Sequence, residues 1–127
     1  MTVENPTEKL VFVYANCLNV QKDAFPRIAS RYGGVKNVRR EFIVNSPSVT
    51  ADDVSYEGVR LRVEAILRTL ASNEKAKVVL AGYSPLVAIL HDVARENGLE
   101  ECYFIRSSDT GGFDEERLRH TSRKLSP

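Results

Sequence analysis

The chain has 127 residues, 43% of them hydrophobic, which is the size of one ordinary domain and leaves no room for a second core. Its 18 basic and 17 acidic residues leave a formal charge of +1, so no whole-molecule field draws it to DNA or to an anionic membrane surface, and any anion site must be local. No run approaches the ~20 apolar residues that cross a bilayer, the polar start at Met1 to Glu8 lacks the features of a signal peptide, and Cys17 and Cys102 have no CxxC partner; the expectation is a cytoplasmic protein with reduced, buried thiols.

Leu10-Val11-Phe12-Val13-Tyr14-Ala15 is apolar throughout, as a strand covered on both faces must be, and it passes into a polar loop from Asn16 to Asn19. Phe25, Ile28, Ala29 and Tyr32 then recur at helical spacing until Gly33-Gly34. Glu41 to Asn45 is short and β-branched, stops at Ser46-Pro47, and reads as the second strand. After a long loop, Asp52 and Asp53 are in place to cap a helix whose apolar stripe is Val59, Val63, Ile66, Leu67 and Leu70, with Arg60, Arg62, Glu64 and Arg68 opposite.

Lys77 to Ala81 reads as the third strand, and Ser84-Pro85 as a cap followed by proline at the first helical position. Leu86, Val87, Ile89, Leu90, Val93 and Ala94 fill the next helix almost all round, which predicts packing on more than one side before Asn97-Gly98 closes it. Cys102 to Ile105 is the fourth strand, Arg106 to Gly112 a Ser/Gly-rich loop, and Asp114 to Lys124 a charged terminal helix. Strands separated by helices predict βαβ crossovers and a single three-layer, Rossmann-like α/β domain with an open, mostly parallel sheet; residues 1–8 and 114–127 are read as flexible or partner-dependent ends.

In such a sheet the loops after the strands emerge on one edge, where ligands bind. Here they carry Asn16 and Asn19, Asn45, Gly82-Tyr83-Ser84, and Arg106 with Ser107, Ser108 and Asp109. Gly82 permits close backbone approach, the helix starting near Pro85 presents unpaired N–H groups at its positive end, Ser84 adds a hydroxyl, and Arg106 adds a fixed cation: a set suited to phosphate. The bland alternatives are that Ser84 only caps its helix and Arg106 only pairs with a surface carboxylate. Tyr83 in the turn is placed to stack on a base, whereas Tyr14 and Tyr103 equally suit a core.

Neither GxxxxGK[ST] nor GxGxxG occurs, which argues against ATP hydrolysis and dinucleotide redox chemistry. His91 lies within a helix, His120 in the tail, and Asp109 is the only carboxylate in the four loops, so metal independence and no cofactor are expected. Ser84, Asp109 and His120 follow the chain order of an α/β-hydrolase triad, but Gly-Tyr-Ser-Pro-Leu lacks the second glycine of GxSxG. A further alternative is a non-catalytic interaction module using the tail basics Arg117, Arg119, Arg123 and Lys124 together with Arg60, Arg62 and Arg68.

From Phe42 to Arg106 the layout resembles the single-domain members of the CRISPR-associated Rossmann-fold (CARF) group, which sense or degrade cyclic oligoadenylates in type III CRISPR systems. The resemblance is carried by the strand Val78 to Ala81, the Gly82-Tyr83-Ser84-Pro85 turn, the apolar helix to Gly98, and Cys102-Tyr103-Phe104-Ile105 running into Arg106-Ser107-Ser108. It implies a homodimer, with higher assembly open, whose strand-end loops form a two-fold pocket for a cyclic RNA, cyclic tetra-adenylate above all. It also implies a choice between simple binding and metal-independent ring cleavage, in which a ribose 2′-hydroxyl attacks the adjoining phosphate. Arg106, Ser84 and Asn16 would then carry catalysis, with Tyr14, Asn19, Asn45, Gly82, Tyr83, Ser107, Ser108 and Asp109 contacting ligand. Asp109 is the nearest carboxylate for a general base and equally suits a turn with Gly111 and Gly112.

Overall fold

The computed structural model describes residues 8–17, 25–106 and 113–117. Strand β1, Lys9–Asn16, lies inside a five-stranded sheet with β2, Val38–Val44, on one side and β3, Glu74–Val79, on the other; β4, Glu100–Arg106, and β5, Phe113–Arg117, complete it in the order β2-β1-β3-β4-β5. The first four strands are parallel, and Tyr14 stands in register with Phe42 on one side and Val79 on the other. This is the mostly parallel, open α/β sheet that the alternation of elements predicts, and the central position of β1 explains why every residue from Leu10 to Asn16 is buried.

The chain steps outward from β1 to β2, then back across β1 to β3 and β4. Right-handed crossovers therefore put the first helix on one face and the next two on the other. Helix α1, Phe25–Ala29, continues as a 3-10 turn over Ser30–Tyr32 and packs with Leu10, Phe12, Tyr14, Val79 and Cys102, the Tyr32 ring standing edge-on to Phe12 at 5.8 Å. Helices α2, Tyr56–Arg68, and α3, Ser84–Glu96, cover Val11, Val13, Ala15, Ala76 and Val78 on the opposite face. Alternation along one strand thus feeds two cores.

Several local expectations are corrected. Asp114 to Arg117 is not helical: with Phe113 it forms β5, antiparallel to β4, with Arg106 opposite Phe113 and Cys102 opposite Arg117. A charged edge strand satisfies the outer ladder of β4 and discourages further pairing, a tertiary demand that a segment with one apolar residue does not announce. Helix α2 is capped by Ser55, whose hydroxyl accepts from the Gly58 N–H, while Asp53 closes its own 3-10 turn by accepting from the Thr50 N–H and hydroxyl. Strand β2 begins three residues earlier than its β-branched run, and β3 ends at Val79, leaving Leu80 and Ala81 in the turn. Helix α3 does pack on more than one side, against the sheet and against α2, burying Leu86, Leu90, Val93 and Ala94 with Val87 and Ile89 partly buried, while Ala88, Asp92 and Arg95 are exposed.

Charged residues stiffen the sheet where its strands begin. Arg39 on β2 reaches across β1 to grip Glu74 on β3 through two hydrogen bonds of 3.1 Å, and it also pairs with Glu41, which Arg62 of α2 approaches at 3.4 Å. The Arg39 guanidinium, joined by the Ala71 N–H, holds the Glu74 carboxyl below its ordinary value of 4.5. A carboxyl depressed on folding contributes stability that is complete above the unfolded value and disappears as pH falls through the lower folded one. Replacement Glu74→Gln should therefore lower the urea midpoint at neutral pH, and the two midpoints should converge as pH drops below 4.5.

Candidate functional site

The order of the parallel strands places the change of direction between β1 and β3, and open sheets bind ligands outside the carboxyl ends of strands at that point. Two sequence-named segments meet there. The Asn16 side chain, at the last position of β1 and 3% exposed, accepts the Tyr83 N–H through Oδ1 at 2.9 Å, while its Nδ2 lies 3.4 Å from the Cys17 carbonyl oxygen. Gly82 has φ 130, and a Cβ there would lie 2.3 Å from the same Asn16 Oδ1 and 3.3 Å from the Ala15 Cβ. Only glycine lets the turn after β3 lie this close to the end of β1.

The turn leads directly into α3. Tyr83 is the N-cap residue with φ −65 and ψ 120, and no side chain caps this end; Ser84 is the first helical residue rather than the cap, because Tyr83 supplies the first helical carbonyl, accepting from the Val87 N–H at 2.9 Å. Pro85 has no N–H, and the Ser84 N–H finds no acceptor among the described residues. An exposed serine therefore offers both a hydroxyl and a backbone donor at the positive end of a 13-residue helix, beside a Tyr83 ring that is 50% exposed. Chemically this is a place for an acceptor-rich, negatively charged group with a flat surface next to it.

The other sequence-named residues divide by location. Asn45 follows β2 on the same edge and is exposed. Arg106 ends β4 on that edge, its backbone paired with Phe113. Tyr14 lies one register position inside the edge, buried in the α1-face core with its ring 5.6 Å from that of Phe42. Asn19, Ser107, Ser108, Asp109 and His120 lie outside the described residues. The edge as described thus joins Asn16, Gly82, Tyr83 and Ser84 in direct contact or sequence, with Asn45 and Arg106 on flanking strands.

Sequence reasoning missed one ionisable pair. His91 Nδ1 of α3 lies 2.5 Å from Glu101 Oε2 on β4, and the Glu101 side chain is wholly buried. The available signal was a carboxylate one residue before an apolar strand stretch, with a histidine on the preceding helix. No group of three or more His, Cys, Asp or Glu among the described residues is arranged to hold a metal ion, and no described helix is long and apolar enough to cross a membrane. Neither cysteine is in a disulfide; Cys102 is buried and Cys17 partly so.

No protein-family model matches the chain, and no curated protein matches it significantly. The site's internal bonds have measurable consequences. Asn16→Ala orphans the Tyr83 N–H and should cost about 1–3 kcal/mol in urea unfolding. Gly82→Ala combines left-handed strain with a collision and should cost at least about 1 kcal/mol.

Proposed function

We propose that this protein binds a phosphate-bearing nucleotide ligand at the carboxyl edge of its sheet, with a cyclic oligoadenylate held between two copies of the chain as the specific form of the reading. The observation that carries it is the hydrogen bond from the Tyr83 N–H to Asn16, which draws the turn onto the switch point and leaves the uncapped start of α3 with an unpaired Ser84 N–H. Exposed Tyr83 supports base stacking beside that donor set. The end of β4 at Arg106 supports a second anion contact from the neighbouring strand.

In this reading Asn16 shapes the turn from behind, and Ser84 and Arg106 meet the phosphate. Turnover needs no metal: the ring's own 2′-hydroxyl attacks the adjoining phosphorus, the bond to the 5′-oxygen breaks, and a cyclic 2′,3′-phosphate and a 5′-hydroxyl result once a proton passes to the leaving oxygen. The protein's part is to hold the ribose and phosphate in line and to stabilise the charge that develops, the role assigned to Arg106. Binding without cutting requires only the first half of this arrangement.

Incubation of the full chain with labelled cyclic tetra-adenylate and excess chelator, read by gel shift and by chromatography of the products, tests the reading. The expected result is a shifted complex, weakened by about 2–5 kcal/mol in Arg106→Ala. Ser84→Asp, which puts a negative charge at the start of α3, should also lower the affinity. Linear products identify a ring nuclease, and an unchanged ring identifies a binder. Absence of binding to the tetra- and hexa-adenylate rings alike overturns the cyclic-nucleotide form, and affinity unchanged in both variants overturns the assigned edge.

A further inference from the structure

On the α1 face, away from the start of α3, two polar groups lack acceptors among the described residues. The Tyr14 hydroxyl is buried and forms no hydrogen bond among the described residues. The Arg40 guanidinium on β2 sits over the Phe25 ring at 4.1 Å and near the Phe42 ring at 5.9 Å, and no carboxylate pairs with it among the described residues. Other described arginines differ: Arg39, Arg60 and Arg62 each have a glutamate. Register joins the two groups, since Phe42 is opposite Tyr14 on the adjacent strand, their rings are 5.6 Å apart, and Arg40 is two residues before Phe42 on the same face.

Stacking on rings satisfies a guanidinium's flat faces and leaves its in-plane N–H groups available. The phenol is a neutral donor, because burial holds its pKa far above neutral pH, and the Arg40 charge is the main influence opposing that shift. Burying a hydroxyl without a partner is unfavourable, so an orphaned one beside an arginine with no carboxylate calls for an acceptor. A group that accepts only, a carboxylate or a phosphate, meets both demands at once.

We infer that Phe25, Arg40, Phe42 and Tyr14 form a binding site for a compact oxyanion, with Arg40 as its ion partner and the Tyr14 hydroxyl as its second donor. The site is separate from the uncapped end of α3 and does not rest on the nucleotide reading. Calorimetric titration of the full chain with inorganic phosphate and, separately, acetate at constant ionic strength tests it and distinguishes the two sources of the anion. At least one should bind; Arg40→Gln should weaken that binding tenfold or more, and Tyr14→Phe several-fold without lowering the melting temperature of the unliganded protein. Ser84→Asp should leave this Arg40-dependent binding in place, whatever it removes at the start of α3.

Failure of both anions to bind overturns the site, as does binding that survives Arg40→Gln and Tyr14→Phe. Loss confined to Ser84→Asp gives the anion to the start of α3, which removes this site and leaves the proposed function intact. A lower melting temperature for unliganded Tyr14→Phe shows that the hydroxyl is already satisfied, by a bound water for example, and overturns its role. If Arg40→Gln does not fold, Tyr14→Phe alone decides.

Discussion

The side-chain amide of Asn16 is the point on which the described site depends. It lies between the end of the central strand and the turn after its neighbour, and its Oδ1 takes the Tyr83 N–H that α3 leaves outside its own ladder. The same oxygen occupies the space where any Cβ at position 82 would lie, so one atom imposes both a hydrogen bond and a glycine. The consequence travels along the chain: with Tyr83 tied back, α3 begins at Ser84 without a side-chain cap, and its dipole points out of the sheet edge rather than into a protein acceptor. A helix end left open in this way has its N–H groups completed by solvent or by a ligand.

Much of the architecture was legible because burial on both faces of a parallel sheet leaves continuous apolar runs, and β1 from Leu10 onward is the plainest of them. Helix α2 was equally readable from Val59, Val63 and Ile66, although its start was not: two aspartates with good capping chemistry lost to Ser55, since Asp53 was already committed to Thr50. Strand β5 was invisible because its pairing is dictated by the unfilled edge of β4, not by its own residues. At the site, Asn16, Gly82, Tyr83 and Ser84 could each be named from loop chemistry, but the Asn16–Tyr83 contact spans 67 positions and emerges only when the strand order brings the two ends together.

Polar groups inside the sheet show how unevenly the interior is satisfied. Lys77, 8% exposed, reaches the Tyr32 hydroxyl at 3.3 Å and lies 5.1 Å from that ring's centre, so its stem fills space and its charge finds a partner. Glu101, buried more deeply, has His91 against it at 2.5 Å. Tyr14 is different: its ring packs against Phe42 at 5.6 Å, yet its hydroxyl has no hydrogen-bond partner among the described residues. Phenylalanine would fill the same volume without that deficit, so the packing of the α1 face does not account for a tyrosine there.

The charged clamp of Arg39, Glu41, Glu74 and Arg62 clarifies why the opposite edge is free to be soft. Arg39 and Glu74 tie β2 to β3 across the first residues of β1, at the end of the sheet where strands begin, and Lys75 with Glu100 continues the pattern to β4 at 2.9 Å. Partly exposed pairs of this kind are individually weak, but several on adjacent strands fix register at one end of the sheet. The other end then needs no such ties: it carries a glycine turn, an uncapped helix and exposed Tyr83 and Asn45. Register held at the strand starts keeps the strand ends in place while leaving Tyr83 and Asn45 exposed, and in a small parallel sheet that division of labour lets a rigid scaffold carry an open edge.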